Sequence, residues 1–188
     1  MYLQLKRYIN LNISVSNEQV DEIISFFKPI VVKKNALLLS SGETCNKLYF
    51  ANKGCIRTYY ITAQGHEKTR FIAFEGMVAT ALTSFISRQP SFEFVDALED
   101  CELLYITHAD FYKLAAVTPE WQSFYLKLLE FAYIYQNKKI EELVTLSAGE
   151  RYAILMKEHP GYIKRLSNKV LASYLDITQE TLSRLKSK

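Results

Sequence analysis

The chain has 188 residues, 49% hydrophobic and 23% charged, with 13 tyrosines and 11 phenylalanines. That length suits one ordinary domain plus a small appendage. The composition argues against an extended disordered chain and favours a β-rich portion with a large apolar filling. The net charge of +3 is unevenly placed: residues 150–188 hold eight Lys/Arg against four Asp/Glu, so a basic C-terminal end follows a near-neutral body and suits a polyanionic partner.

No apolar run is long enough for a signal peptide or a membrane span, which points to the cytoplasm and to no membrane partner. Cys45, Cys55 and Cys101 stand far apart in the chain without C-x-x-C spacing, so reduced thiols are expected, with no metal site and no cofactor.

Residues 1–28 read as helical. Ser16 and Gln19 form a capping-box pattern ahead of Val20, Ile23, Ile24 and Phe27, and Pro29 is expected to stop the helix. From Ile30 to Ile106 the pattern changes to short apolar runs, which predict strands at 30–32, 36–39, 47–51, 55–61, 69–73, 78–81, 92–98 and 102–106. Gly42, Gly54, Gly65 and Gly76 recur about every eleven residues between them, as the corners of a jelly-roll barrel would require. A short helix is expected within Thr80–Ser87.

Thr107 and Asp110 open a helix through Ala115. Thr118-Pro119-Glu120 then starts the longest element, a helix to about Leu146. Its apolar stripe includes Trp121, Phe124, Leu128, Phe131, Ala132, Tyr135 and Leu143. The stripe either packs only on its own barrel or also pairs with its twin across a dimer axis, and the second reading is preferred because it holds more aromatic surface than one barrel face needs.

Ser147 and Glu150 make a second capping box, with a hinge expected at Ser147–Gly149. The following helix should run to about His159 and end at Pro160-Gly161, with Tyr162–Leu166 as a short strand or extended link. Ser167 then caps a helix over about 168–174, and Thr178 caps another. Leu171, Leu175, Ile177, Leu182 and Leu185 would close into one seam, with the small Ala172 at the crossing. This is a helix-turn-helix layout, with Asp176 at the turn where glycine is commonest. The outer side of the second helix shows Gln179, Glu180, Ser183, Arg184 and Lys186, residue types that meet base edges and phosphates. A plain packing hairpin is the alternative for this segment. Lys186 and Lys188 are expected to help anchor phosphates.

With these residues in view, the chain resembles the Crp/Fnr superfamily of bacterial transcription regulators. Ser41-Gly42-Glu43, Leu48-Tyr49-Phe50, Lys53-Gly54 and Glu75-Gly76-Met77 resemble its cyclic-nucleotide-binding barrel, residues 118–146 its dimerising helix, and Thr178–Arg184 its recognition helix. The ending at Lys188 is similar to that of members typical of Bacteroidetes. The resemblance implies an α+β chain: a sensor domain at 1–117 with a jelly-roll barrel and flanking helices, a dimerisation helix at 118–146 and a helix-turn-helix domain at 147–188. It implies that Gln179, Glu180 and Arg184 read bases, with Ser167, Thr178, Thr181 and Ser183 also on the DNA side.

The resemblance fails at the ligand site. Cyclic-nucleotide binders of the family carry Gly-Glu and, further on, an Arg followed by Ser or Thr. The matching stretches here are Thr80-Ala81 and Ser91-Phe92, so the Glu and the Arg are both missing. A buried phosphate would lose its main partner. Thr80, Ala81, Leu82, Arg88, Ser91 and Phe92 remain the candidate effector pocket, with Arg88 expected in a solvated loop. His66 and His108 read as surface residues, and no catalytic motif is present, so no enzyme is expected. The expected partners are double-stranded DNA and a second copy of the chain, with an unidentified small-molecule effector and RNA polymerase as further candidates. The alternative is a small-molecule-binding module whose C-terminal helices only pack.

Overall fold

The computed structural model describes residues 2–187. Helices α1 (Leu3–Asn12) and α2 (Asn17–Ser25) precede eight strands: β1 (Lys28–Val32), β2 (Leu37–Leu39), β3 (Lys47–Lys53), β4 (Ile56–Ile61), β5 (Glu67–Ala73), β6 (Val78–Ala79), β7 (Phe94–Ala97) and β8 (Cys101–Thr107). Helix α3 (Leu82–Ser87) interrupts the strands after β6. Helices α4 (His108–Val117), α5 (Pro119–Thr145), α6 (Ala148–Glu158), α7 (Pro160–Arg165), α8 (Asn168–Leu175) and α9 (Gln179–Lys186) follow.

The strands form two four-stranded sheets, ordered β1-β8-β3-β6 and β2-β7-β4-β5, the two layers of a jelly roll. All eight expected strands are present, within a few residues at their ends. Alternation along the strands explains why the core has two parts. Leu48, Phe50, Leu104 and Ile106 cluster with Ile9, Ile23, Phe111 and Trp121 of the helices, while Tyr49, Ala51 and Leu103 join Ile56 and Ala97 of the other sheet. All four corner glycines have positive φ. At Gly54 a Cβ would also lie 2.7 Å from both the Asp100 carbonyl and Cys101 Sγ, so this corner excludes a side chain twice over.

The N-terminal segment is helical up to Ser25, as expected. It is two helices, because Ser16 starts α2 with the expected capping box, its Oγ accepting from Gln19 N–H while Gln19 accepts from Ser16 N–H. Pro29 does not stop a helix that already ended at Ser25; it lies within β1. That strand is at the edge of its sheet, where a missing N–H costs little. Residues 162–165 are helical rather than extended, and only Leu166 keeps an extended backbone: Pro160 occupies the first turn of α7, where its fixed φ favours a helix start.

By backbone proximity the chain divides into two compact units, one of residues 1–60 and 71–130, the other of residues 61–70 and 131–188. The tip of the β4–β5 hairpin is therefore grouped with the C-terminal helices. No helix among the described residues is long and apolar enough to cross a membrane.

Candidate nucleic-acid interface

Helices α8 and α9 are held by caps and by one apolar seam. Ser167 Oγ accepts from Val170 N–H, and Thr178 Oγ1 accepts from Thr181 N–H at 3.2 Å. Each cap is worth about 1 kcal/mol. Asp176 between them has φ +57, the left-handed conformation the turn requires. Leu171, Ala172, Leu175 and Leu182 are buried and Ile177 and Leu185 half-buried, together with Val170, which the sequence pattern did not single out. Gly149 is helical, inside α6, with Leu185 Cδ2 3.7 Å from where its Cβ would be. The helices separate at Leu146–Ser147, at the first residue of the expected hinge.

Gln179, Glu180, Ser183, Arg184 and Lys186 are all exposed. Thr181 is half-buried, and its Oγ1 accepts from Arg184 Nη2 at 3.2 Å, which aims the guanidinium along the helix surface. Glu180 is held below the usual carboxylate range by its own backbone N–H and the Thr178 hydroxyl, with Arg184 adding to the effect. Lys186 Nζ donates to Asn168 Oδ1 at 2.6 Å and ties the end of α9 to the start of α8. Lys188 lies outside the described residues.

The six candidate effector residues lie in different local settings. Ala81 is fully buried in the apolar core, and Leu82 begins α3. Thr80 Oγ1 donates to the Lys47 carbonyl at 2.9 Å. Arg88 is not a solvated loop residue: it caps α3 with φ +63, and its guanidinium donates to the Cys45 carbonyl at 2.6 Å and to Asn46 Oδ1. Ser91 is buried, its Oγ donating to the Glu93 carbonyl at 3.0 Å, while Phe92 is 88% exposed. Glu93, two residues after Ser91, is also buried, and its backbone N–H donates to Ser91 Oγ at 2.9 Å. A separate cavity of about 400 Å³ opens beside Leu38, Leu39, Cys45 and Tyr49. His108 is half-buried rather than on the surface, its ring 4.5 Å from that of Tyr112, and burial lowers its pKa.

The stripe expected to face a twin is divided. Trp121 and Phe124 are buried in the core of their own unit, stacked at 4.4 Å, and Leu128 packs against that core. Tyr135 is half-buried, its hydroxyl paired with that of Tyr174. Phe131 remains 48% exposed. Besides Phe131 and Leu143, α5 exposes apolar residues that the sequence pattern passed over: Leu126, Tyr133 and Ile140 at intervals of seven, with Ile134 and Val144 beside them.

Residues 29–117 match the cyclic nucleotide-binding domain family. The chain is 28% identical over 181 residues to the anaerobic regulatory protein of Haemophilus influenzae, covering 89% of this chain and 68% of that protein. It is 27% identical over 181 residues to the fumarate and nitrate reduction regulatory protein of Vibrio cholerae, covering 89% of this chain and 70% of that one. It spans about two thirds of the length of these relatives. Among solved structures, FixK2 from Bradyrhizobium japonicum superposes with a TM-score of 0.76 at 17% identity, covering 86% of this chain and 83% of that one. A crp/fnr-family regulator from Eubacterium rectale gives 0.71 at 19% identity, over 91% and 82% of the two chains. In its jelly roll, its long helix and its terminal helix pair the chain has the fold of these Crp/Fnr regulators and is similar to them in sequence, and its residues 29–117 form a cyclic nucleotide-binding domain by family.

Proposed function

We propose that this protein is a DNA-binding transcription regulator that reads a two-fold site as a homodimer. The observation that carries this reading is the division of α8 and α9 into a buried seam and an exposed polar face holding Gln179, Glu180, Ser183 and Arg184. A helix with that face enters the major groove, where arginine suits guanine and glutamate suits cytosine. Ser167, Thr178, Thr181, Lys186 and Lys188 contribute phosphate contacts. Dimerisation through Leu126, Tyr133, Ile140 and Val144 of α5 doubles the reader, and the half-sites then lie about one helical turn apart. RNA polymerase is the downstream partner this reading requires for activation.

The sensor does not take cyclic AMP in the family's usual manner. Ala81 is packed into the core and Ser91 is bonded to its own loop, so neither position supplies the charged partner that a cyclic phosphate would need. Calorimetry with cyclic AMP and cyclic GMP should give no saturable heat; clear saturation would refute this part of the reading.

Selection of bound fragments from random duplex DNA tests the whole proposal. A two-fold motif with salt-dependent affinity is the expected result. A second reading, a small-molecule-binding module whose C-terminal helices only pack, draws on the cavity beside Cys45 and Tyr49. It requires that no motif emerge and that duplex affinity be absent at low salt.

A further inference from the structure

Residues at the start of β5 engage one stripe of α8. Glu67 pairs with Lys169, and Lys68 pairs with Asp176. Between them, Thr69 N–H donates to Ser173 Oγ at 2.7 Å, and the two hydroxyls lie 2.7 Å apart. Positions 169 and 173 are four residues apart and share a face of α8, and Asp176 follows at the C-terminal cap of the same helix. Thr69 is 3% exposed, which shields its bonds from water. Asp176 is also the turn residue, at φ +57. Glycine would adopt that backbone at less cost, whereas aspartate adds a carboxylate that Lys68 engages.

We propose that the tip of the β4–β5 hairpin is a clasp on the helix-turn-helix, with Lys68 and Thr69 as positioning residues for DNA reading. They act through Asp176 and Ser173, holding α8 and the turn so that α9 is presented in one pose. The reading face of α9 stays exposed while these contacts are made, so the closed clasp is compatible with bound DNA. The same hairpin continues into the sensor sheet through β4 and β5, which gives the reader a covalent link to the sensor besides α5. The inference rests on residues 167–187 being a DNA reader.

Two substitutions separate a clasp from simple charge effects. If only net charge mattered, Lys68→Gln would weaken DNA binding and Asp176→Asn would strengthen it. A clasp moves both in one direction: each should weaken binding to the selected site about two- to fivefold, and the double variant should be no worse than the poorer single. Asn tolerates the left-handed turn, so the backbone is kept. Amide hydrogen exchange without DNA is the second readout, and residues 61–70 and α8 should lose protection together in each single variant. Opposite signs, independent effects or unchanged exchange would overturn the clasp. Exchange that responds as expected in a protein that binds no duplex would overturn the DNA reading, and the positioning role with it, while leaving the hairpin contact established.

Discussion

The hydroxyls of Tyr135 and Tyr174 lie 2.9 Å apart, joining the second half of α5 to the first helix of the helix-turn-helix. Tyr135 also donates to the Arg70 carbonyl at 3.4 Å, and burial raises both phenol pKa values above the usual tyrosine range, so both stay protonated. Tyr135→Phe and Tyr174→Phe should each lower stability by about 1 kcal/mol, with the double variant costing less than the sum because one bond is shared. Denaturant unfolding of the three variants checks this, and full additivity would count against the pair.

The division of α5 predicts opposite behaviour for two apolar residues. Trp121 is fully buried against Phe111 and Phe124, so Trp121→Ala should cost about 3–5 kcal/mol in unfolding experiments. Ile140 is 58% exposed, so Ile140→Asp should leave the fold intact. In the proposed dimer it should instead shift the sedimentation coefficient to that of a monomer. Unchanged assembly with Ile140→Asp would exclude this face as the dimer contact.

Gly149 sits in the first turn of α6 with room for a methyl group, the nearest atom being Leu185 Cδ2 at 3.7 Å. Gly149→Ala should therefore raise the thermal stability, by about 0.5–1 kcal/mol, by reducing the freedom of the unfolded chain. A destabilised variant would show that the residue must leave the helical conformation.

Lys139 gives the C-terminal half a pH dependence. Its ammonium donates to the Thr69 and Arg70 carbonyls at 3.2 and 3.3 Å and sits 3.6 Å from the centre of the Tyr174 ring. Burial lowers its pKa to about 7; Glu142 and Asp176 oppose the shift and Arg70 adds to it. The unfolded chain holds this proton up to about pH 10.5, so between the two values the unfolded state binds more protons. Stability should rise as pH increases from about 7 toward 9 and be flat with respect to this group below 7. Denaturant titrations at several pH values would show the slope, and Lys139→Met should remove it.

Arg184 is exposed on α9 and braced by Thr181. Arg184→Ala should weaken binding to the selected site by about 1–3 kcal/mol and relax base preference at one position of each half-site. Arg184→Lys keeps the charge but loses the two-pronged geometry, so it should retain affinity for random duplex while losing preference. A gel shift at fixed salt in which Arg184→Ala keeps both affinity and preference would remove Arg184 from the reading face.

Local signals were legible wherever a backbone requirement names its residue. The corner glycines, the capping boxes at Ser16 and Ser147, and the caps at Ser167 and Thr178 all appear as the sequence suggests. Pro160 marks the end of α6 as expected, but proline is punctuation only in context: it also favours the start of α7, and an edge strand tolerates Pro29. Arg88 was placed in solvent because nothing local reveals that the Cys45 carbonyl, far away in the chain, waits for a donor.

The sequence alone determined the caps, the corner glycines, nearly all of the order of elements and the exposed polar side of α9, since each depends on residue type at short spacing. Only the tertiary structure decided which side of α5 is spent on the core, and it alone set Thr69 on Ser173 and Lys68 on Asp176. Both outcomes depend on pairs more than a hundred residues apart or on a stripe with apolar groups on several sides, where periodicity names a helix but not the surface it will bury.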